Sequence, residues 1–333
     1  MILTKQYKII YKYFDRVNKK MKKTIYRPNN YSLYKAVNVL NQSGVIGFPT
    51  ETVYGLGGNA YSDQAINKIY EIKNRPKINP LIIHVSSFKL AVTLGEFSDT
   101  AKNIALQYWP GPLTILLNRK ANNGISEIAT AGLNSIAIRI PSNKIAHLLL
   151  EKFGKPIAAP SANLSGTVSS TSASHIFDDF GSQIDMIIDD GPCLHGIEST
   201  IIDARDNNLK ILREGSITKE DIFRTTNLII DENSENKIIA PGQLEKHYAP
   251  KASLRINVEK PDKDEFYITL GKSNNFTNSI NLSQNADLTE FANKIYSVLR
   301  ELDDKKIKKI AVAPIPNSGI GQAINDRLKR ASK

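Results

Sequence analysis

The chain has 333 residues, 41% of them hydrophobic, which is enough for two domains with buried cores. A single cysteine, Cys193, excludes an internal disulfide and a cysteine-based metal cluster. There is no run of about 18 apolar residues that would predict a transmembrane helix. This composition is typical of a cytoplasmic protein.

The net charge of +11 is concentrated at the N-terminus, because residues 1–35 carry ten Lys and Arg residues against one Asp. We interpret residues 1–23 as a basic, solvated extension, since they lack the cleavage site of a signal peptide and the composition of a transit peptide. The rest of the chain is nearly neutral, which disfavours a large nucleic-acid-binding surface.

From about residue 24, short apolar strands and amphipathic helices alternate irregularly along the chain, which favours an α/β domain with a mixed sheet. Helices are predicted at residues 32–44, 63–74, 100–109, 143–152 and 171–180. Strands are predicted at residues 45–50, 80–85, 113–118, 135–140, 156–160, 185–190 and 199–203.

A polar stretch without periodicity then separates this domain from a second α/β pattern. Strands "YITL" and "KIAVAP" flank a helix at residues 288–304, and a last helix follows at residues 321–331. The predicted division is an extension at 1–23, a first domain at 24–230, a linker at 231–252 and a smaller domain at 253–333.

Several common catalytic motifs have weak support or none. "GLGGNA", residues 55–60, matches the glycine pattern of dinucleotide-binding loops, but no Asp or Glu ends a second strand about 20 residues later. There is no P-loop and no G-x-S-x-G nucleophile elbow. The five histidines show no metal-ligand spacing, so no metal-binding residues are predicted.

Two other stretches favour binding of an anion. "KNRPKINP" places three cations, Lys73, Arg75 and Lys77, on a turn stiffened by Pro76 and Pro80, just before an apolar strand. "APSANLSG", residues 159–166, combines small hydroxyl residues with backbone N–H groups after a buried strand, although an ordinary turn would explain it equally well.

Taken together, the motifs resemble the YrdC-like threonylcarbamoyl-AMP synthases in their long, two-domain form. The motifs are "GFPTETVYGLG", "KNRP", "NPLIIHV", "WPGPLT", "AIRIP", "APSANLSG", "GIESTI" and, in the linker, "PGQLEKHYAPK". The resemblance covers about residues 30–330, and Gln243 departs from it, since the family usually has a methionine there. It implies an open, twisted mixed-sheet domain with a concave cavity and a smaller Rossmann-like C-terminal domain.

The resemblance also implies an activity, the joining of L-threonine, bicarbonate and ATP into threonylcarbamoyl-AMP with release of pyrophosphate. This nucleotidyltransferase reaction is the first step of threonylcarbamoyladenosine modification of tRNA, and a separate transferase complex takes up the product. Magnesium is expected with ATP, bound mainly through the phosphates.

Residue roles follow from the resemblance in the same way. Lys73 and Arg75 are expected to be catalytic, as cations that hold phosphate or carboxylate groups. ATP is expected to contact Lys73, Lys77, Thr114, Ser161, Asn163, Ser169, Arg213 and Tyr248. L-threonine is expected to contact Thr50, His84, Arg139, Ala159 and Ser199.

A second interpretation remains open, an RNA-binding module without synthase activity. A basic cavity would suit double-stranded RNA or tRNA as well as ATP. The nearly neutral body makes such binding weak, and RNA affinity should fall steeply with salt.

Overall fold

The computed structural model describes residues 24–206, 208–232, 239–243, 245, 247–272 and 276–333. The predicted N-terminal extension, residues 1–23, lies outside this range. None of the described helices combines the length and apolar character needed to cross a membrane.

A large mixed sheet organises the first domain. In the part of the chain that the structure describes, its twelve strands are β1 (Ile25–Tyr26), β2 (Ile46–Phe48), β3 (Gly55–Asn59), β4 (Ile82–His84), β5 (Gly95–Glu96), β6 (Leu113–Arg119), β7 (Ser135–Arg139), β8 (Ile157–Ala159), β9 (Met186–Ile188), β10 (Thr200–Asp203), β11 (Leu209–Arg213) and β12 (Ile230–Glu232). The order is β1-β9-β2-β3-β8-β4-β7-β6-β10-β11-β12, with β5 paired to β6. The prediction of a mixed sheet is confirmed, because antiparallel pairs such as β2–β3 alternate with parallel pairs such as β4–β7.

Seven helices surround this sheet within the described residues. They are α1 (Asn30–Asn41), α2 (Asp63–Lys73), α3 (Phe88–Leu94), α4 (Asp99–Tyr108), α5 (Lys144–Phe153), α6 (Ala173–Phe180) and α7 (Lys219–Thr226). Helices α1 and α5 pack on one face over a cluster that includes Leu40, Phe48 and Leu149. The larger core contains residues from α2, α4 and the central strands, so the sheet is covered by apolar packing on both faces.

Among its described residues, the smaller domain forms a parallel sheet of four strands with two helices. The strands are β13 (Ser253–Arg255), β14 (Phe266–Thr269), β15 (Ser279–Asn281) and β16 (Lys309–Val312), in the order β13-β16-β14-β15. Helices α8 (Leu288–Asp304) and α9 (Ile320–Ala331) bury apolar faces against it. Its core also takes in Val53, Val168 and Ile197 of the first domain, so the two domains share apolar packing.

Local sequence explains the end of α2, which matters for the site. Ser62 caps the helix N-terminus by accepting a hydrogen bond from the Ala65 N–H group. At the other end, Asn74 adopts a left-handed conformation with φ of 50°, which asparagine tolerates better than most residues. The chain therefore turns sharply between Lys73 and Arg75, and the two side chains leave the helix end in different directions.

The glycine-rich stretch at residues 55–60 is largely a strand. β3 pairs antiparallel with β2, which places Phe48 opposite Gly55. A Cβ atom on Gly55 or Gly57 would lie 2.8 or 2.7 Å from the Phe48 ring. These glycines are thus required by close packing within the sheet rather than by a phosphate-binding turn.

Candidate active site

A cavity lies where the ends of the central strands meet the linker. Its described lining is Thr50, Thr52, Val53, Tyr54, Gly55, Arg75, Ile82, His84, Arg139, Ala159, Pro160, Ser161, Glu198, Ser199, Arg213, Pro241, Gly242, His247 and Tyr248. The enclosed volume is about 40 Å³, whereas pockets for drug-sized ligands hold roughly 300–1,000 Å³. A nucleotide would therefore need the wall to move outward.

The register of the neighbouring strands β4, β7 and β8 places several cavity-lining residues next to each other. His84, at the end of β4, is the register partner of Arg139 on β7, and Ile82 is the partner of Ala159 on β8. Burial, assisted by the nearby Arg139 cation, lowers the pKa of the His84 imidazole to about 3. This side chain is therefore neutral near pH 7 and does not add to the positive charge of the cavity.

Arg139 is buried and its guanidinium is held from three sides. Its Nη2 atom forms an ion pair with Glu51 Oε1 at 2.8 Å. Its Nη1 and Nε atoms donate to Thr52 Oγ1 and to the Gly111 carbonyl at 2.9 and 3.2 Å. Burial alone would raise the pKa of the Glu51 carboxyl, but Arg139 and the Ser142 N–H group outweigh it and hold the pKa at about 2. Glu51 and Arg139 thus form a charge-neutral pair in the wall.

Arg75 reaches the cavity directly, unlike the other two cations of its motif. Its guanidinium donates to the carbonyls of Asn79 and Pro80 at 3.1 and 2.9 Å. Burial lowers its pKa to about 10, so it remains charged at neutral pH. Lys73 is buried behind the wall, where its Nζ atom donates to the carbonyls of Ser161 and Asn163. Burial, together with the nearby Arg75 cation, lowers the pKa of Lys73 well below its usual value.

Lys77 points away from this region. It is exposed, and its Nζ atom donates to Asn67 Oδ1 at 3.0 Å. The three cations predicted as a cluster therefore occupy three different environments, and of these cations Arg75 is the one that lines the cavity.

Arg213 forms another cationic part of the wall. Its Nε and Nη2 atoms donate to the carbonyl and hydroxyl oxygens of Ser199, both at 3.0 Å. Behind it, the Ser199 hydroxyl also lies 2.8 Å from Thr114 Oγ1. No described carboxylate forms an ion pair with Arg75 or Arg213. The Glu198 carboxylate lies near enough to Arg213 for the two charges to interact, but Glu198 is itself paired with Arg327.

The linker contributes the outer wall. Tyr248 is buried and has a left-handed φ of 62°, an uncommon and strained conformation for a tyrosine. Its hydroxyl and the Nδ1 atom of His247 are buried without a hydrogen-bond partner among the described residues. At Gly242, with φ of 88°, a Cβ atom would come within 3.0 Å of that hydroxyl, so glycine permits the close approach. Such unsatisfied polar atoms are expected where a ligand binds.

Nine of the fourteen site residues predicted from sequence line this cavity: Thr50, Arg75, His84, Arg139, Ala159, Ser161, Ser199, Arg213 and Tyr248. The other five are Lys73, Lys77, Thr114, Asn163 and Ser169. All of these except Lys77 are buried behind the wall. Asn163, for example, donates to the carbonyls of Leu164 and Thr167 and so braces the "APSANLSG" loop.

Sequence reasoning missed Thr52, Glu51 and Glu198. Thr52 and Glu198 line the cavity, and Glu51 holds Arg139. Each lies inside a motif, "GFPTETVYGLG" or "GIESTI", but the residue types alone gave no reason to choose them over their neighbours.

Carboxylates do not gather into a metal site in the described part of the chain, where no cluster of three His, Cys, Asp or Glu side chains could hold an ion. Glu51 and Glu198, the carboxylates closest to the cavity, are both engaged by arginines.

Comparisons with known proteins identify the chain. The Sua5/YciO/YrdC family model, described as "Telomere recombination", matches residues 38–215, and the model of the threonylcarbamoyl-AMP synthase C-terminal domain matches residues 217–333. The threonylcarbamoyl-AMP synthase of Bacillus subtilis is 37% identical, covering 91% of this chain and 94% of its own. That of Pyrococcus abyssi is 36% identical, covering 92% and 95%. The crystal structure of P. abyssi Sua5 complexed with L-threonine has a TM-score of 0.84 and 33% identity, covering 93% of this chain and 97% of that one.

Fold, cavity and comparisons together define a two-domain α/β enzyme of the nucleotidyltransferase type. Both family models and full-length relatives agree on the assignment. The chain belongs to the Sua5/YciO/YrdC family of threonylcarbamoyl-AMP synthases.

Proposed function

We propose that this chain makes threonylcarbamoyl-AMP from L-threonine, bicarbonate and ATP, releasing pyrophosphate and water. The observation that carries the proposal is that one cavity contains arginines of two kinds, one inside an ion pair and two outside any ion pair among the described residues. Arg139 forms an ion pair with Glu51, whereas neither Arg75 nor Arg213 forms an ion pair with a described carboxylate.

L-threonine binds beside Arg139 in this proposal. Its carboxylate accepts hydrogen bonds from the guanidinium, and Thr50, Thr52 and Ser199 supply hydroxyl groups around it. The backbone of Ala159 faces the amino acid from the neighbouring strand. The neutral imidazole of His84 forms a polar wall that does not repel the threonine ammonium.

The nucleotide binds against Arg75, Arg213 and Tyr248. Two guanidinium groups that form no ion pair with a described carboxylate suit the triphosphate, and the Tyr248 hydroxyl and ring offer a hydrogen bond and a stacking surface. Ser161 faces the same space. Lys73, Thr114, Asn163 and Ser169 act from behind the wall by holding these groups in place, a supporting role.

The chemistry then needs positioning more than covalent help. The threonine ammonium releases a proton to solvent, the resulting amine attacks the carbon of bicarbonate, and loss of water gives a carbamate. A carbamate oxygen attacks the α-phosphorus of ATP, the bond from that phosphorus to the bridging oxygen breaks, and pyrophosphate leaves. Arg75 and Arg213 stabilise charge on the phosphoryl oxygens during the second step. Exclusion of water protects the mixed anhydride.

Magnesium accompanies ATP in this proposal and is held mainly through the phosphates. The donor set agrees with this arrangement, because the carboxylates near the cavity are already paired with arginines. The ion would neutralise charge on the leaving pyrophosphate.

The linker acts as a lid. Pro241, Gly242, His247 and Tyr248 close the outer wall, and the enclosed volume of about 40 Å³ is too small for ATP. Movement of Pro241, Gly242, His247 and Tyr248 would admit the substrates and release pyrophosphate, and such a motion can limit turnover.

The product carries an activated threonylcarbamoyl group, which a separate transferase complex would pass to adenosine in tRNA. The protein itself therefore needs only weak RNA contacts, or none. RNA binding with a steep salt dependence and no adenylate formation would support the RNA-binding module instead.

One assay tests the proposal directly. The protein is incubated with ATP, magnesium, L-threonine and bicarbonate, and pyrophosphate and the adenylate are measured by enzymatic detection and mass spectrometry. We expect both products in equal amounts, and neither when threonine or bicarbonate is omitted or EDTA is added. Pyrophosphate release that does not depend on threonine, or no release at all, would contradict the proposal.

A further inference from the structure

Arg327, in the last helix α9, is a cation that is almost completely buried. Its side chain is about 2% exposed, and a charge so deeply buried must be paired and hydrogen-bonded. Its Nε atom donates to Glu198 Oε2 at 2.9 Å, and its Nη2 atom donates to the Glu214 carbonyl at 2.7 Å. Its Nη1 atom donates to Asp326 of its own helix at 2.7 Å.

Two of these contacts leave the smaller domain and end at the cavity wall. Glu198 lines the cavity, and Glu214 directly follows Arg213, whose guanidinium is part of the lining. The Arg327 guanidinium also lies 5.1 Å from the centre of the Tyr248 ring, a cation–π distance. One side chain thus contacts three separate segments of the wall, namely the "GIEST" turn, the end of β11 and the linker.

Tyr296 of helix α8 reinforces the same arrangement. Its hydroxyl donates to Glu198 Oε2 at 3.1 Å, and its ring stacks on Tyr248 with centroids 5.8 Å apart and an interplanar angle of 20°. The other Glu198 oxygen accepts from the Ser169 hydroxyl. Burial alone would raise the pKa of Glu198, but Arg327 and Arg213 lower it, so the carboxylate stays ionised.

We propose that Arg327 is a positioning residue for the synthase reaction. It holds Glu198, the backbone next to Arg213 and the Tyr248 ring in the arrangement that forms the nucleotide side of the cavity. No described side chain of the smaller domain lines the cavity, so this domain acts on the reaction through Arg327 and Tyr296. The expected change in the ATP Michaelis constant rests on the proposed function. The expected change in linker hydrogen exchange does not depend on it.

The chain offers a matched control in Arg300 of helix α8. Arg300 also crosses between the domains, with Nη2 donating to Asp179 Oδ2 and to the Val168 carbonyl, both at 2.6 Å. Arg300 also donates to the Ser169 carbonyl at 3.3 Å and to the Ser170 hydroxyl at 3.2 Å, but none of its four partners lines the cavity. A residue that merely joins the domains should resemble Arg300 in its effects, whereas a positioning residue should not.

The experiment compares Arg327→Met, Arg327→Lys and Arg300→Met in the full chain. Michaelis constants for ATP and threonine, maximal rate, thermal midpoint and amide hydrogen exchange of the peptide 239–252 are measured. For Arg327→Met we expect the ATP Michaelis constant to rise at least about tenfold, with faster linker exchange and a much smaller change for threonine. Arg300→Met should lower the thermal midpoint and leave the linker exchange unchanged, and its ATP Michaelis constant should rise much less than that of Arg327→Met.

Arg327→Lys keeps a charge for Glu198 but loses the fork that also reaches the Glu214 carbonyl. We expect Arg327→Lys to fold and to show a rise in the ATP Michaelis constant between those of the wild type and Arg327→Met. The test therefore stays valid where the methionine variant is unstable. Equal effects of the Arg300 and Arg327 variants on the ATP Michaelis constant would overturn the proposal. If the wild-type protein makes no adenylate, the proposed function fails. Linker hydrogen exchange still tests the positioning role in that case, because unchanged exchange in both Arg327 variants would overturn it.

Discussion

Two groups of arginines in the cavity differ in how their charge is balanced. Arg139 is paired with the buried carboxylate of Glu51, so that part of the wall is close to neutral overall. Arg75 and Arg213 donate instead to carbonyl and hydroxyl oxygens, and neither forms an ion pair with a described carboxylate. A neutral pair suits a zwitterion such as an amino acid, and arginines outside an ion pair suit a polyphosphate. We therefore propose that the charge balance of each group determines which of the two substrates it binds.

Arg139→Met should give the largest effect. It leaves Glu51 buried without its cation, so we expect the free energy of unfolding to fall by about 3–5 kcal/mol. Threonine binding should be lost, while ATP binding should persist in the folded fraction. Urea unfolding and calorimetric titration with each substrate measure these quantities.

The double variant Glu51→Gln/Arg139→Met separates the two effects. With no buried charge left, stability should largely recover, but threonine binding should not. Recovery of both would show that Arg139 has only a structural role.

Arg75→Met and Arg213→Met test the other group. Each removes a charged hydrogen-bond donor worth about 1.5–3 kcal/mol, so ATP affinity should fall roughly ten- to hundredfold. Threonine affinity should change little. Lys77→Met is the control, because this exposed lysine lies outside the cavity wall, and it should bind ATP like the wild type.

Lys73→Met addresses a residue that sequence and structure describe differently. The sequence predicts a direct phosphate contact, whereas the Lys73 Nζ atom donates to the carbonyls of Ser161 and Asn163. We expect adenylate formation to fall about tenfold, since a buried carbonyl left without its donor costs roughly 1–3 kcal/mol. If Lys73 acts through the loop, faster hydrogen exchange in the peptide 159–166 should accompany the loss. Loss of activity with unchanged exchange would favour direct contact with phosphate.

Two buried histidines, His84 and His247, also line the cavity. Burial lowers the pKa of both to about 3. Histidine in the unfolded chain titrates near pH 6.5, so below that pH the unfolded state binds protons that the folded state does not. The free energy of unfolding should therefore fall as the pH drops from about 6.5 towards 3, by at most about 1.4 kcal/mol per pH unit for each histidine. Urea unfolding at several pH values in this range measures how the free energy of unfolding depends on pH. This dependence should be weaker in His84→Asn and in His247→Asn than in the wild type. An unchanged pH dependence would contradict the lowered histidine pKa values.

Tyr248→Phe should have the smallest effect. The hydroxyl is buried without a partner among the described residues, so its removal should leave the thermal midpoint unchanged or slightly raised. If this hydroxyl bonds ATP, the loss of about 0.5–1.5 kcal/mol should weaken ATP binding roughly two- to tenfold. Tyr248→Ala, which also removes the ring, provides the comparison and should be weaker still.

Much of the fold follows from sequence because periodicity and end signals are local. The predicted helix at residues 63–74 and the central strands at 80–85 and 135–140 all form. The short strand β3 was missed, since its glycines are explained only by the Phe48 ring on the strand beside it. Strand β12 reaches Glu232 and so enters the predicted linker, while the predicted domain boundaries remain predictions.

The site was harder to predict because neighbouring residues in a motif face different ways. Lys73 and Arg75 diverge because Asn74 adopts a left-handed conformation. The pairing of Glu51 with Arg139 depends on a long-range contact between a turn and a strand end, which no local pattern encodes. The departure at Gln243 has a local explanation, since its side-chain oxygen accepts from the Ile239 and Ala240 N–H groups and orders the linker before Gly242.

The most direct test is a crystal structure of the full chain with L-threonine and a non-hydrolysable ATP analogue. The account predicts the threonine carboxylate within hydrogen-bond distance of the Arg139 guanidinium. It also predicts the triphosphate against Arg75 and Arg213, with Tyr248 closing over the nucleotide. A triphosphate bound at Arg139, or both ligands bound outside this cavity, would contradict it.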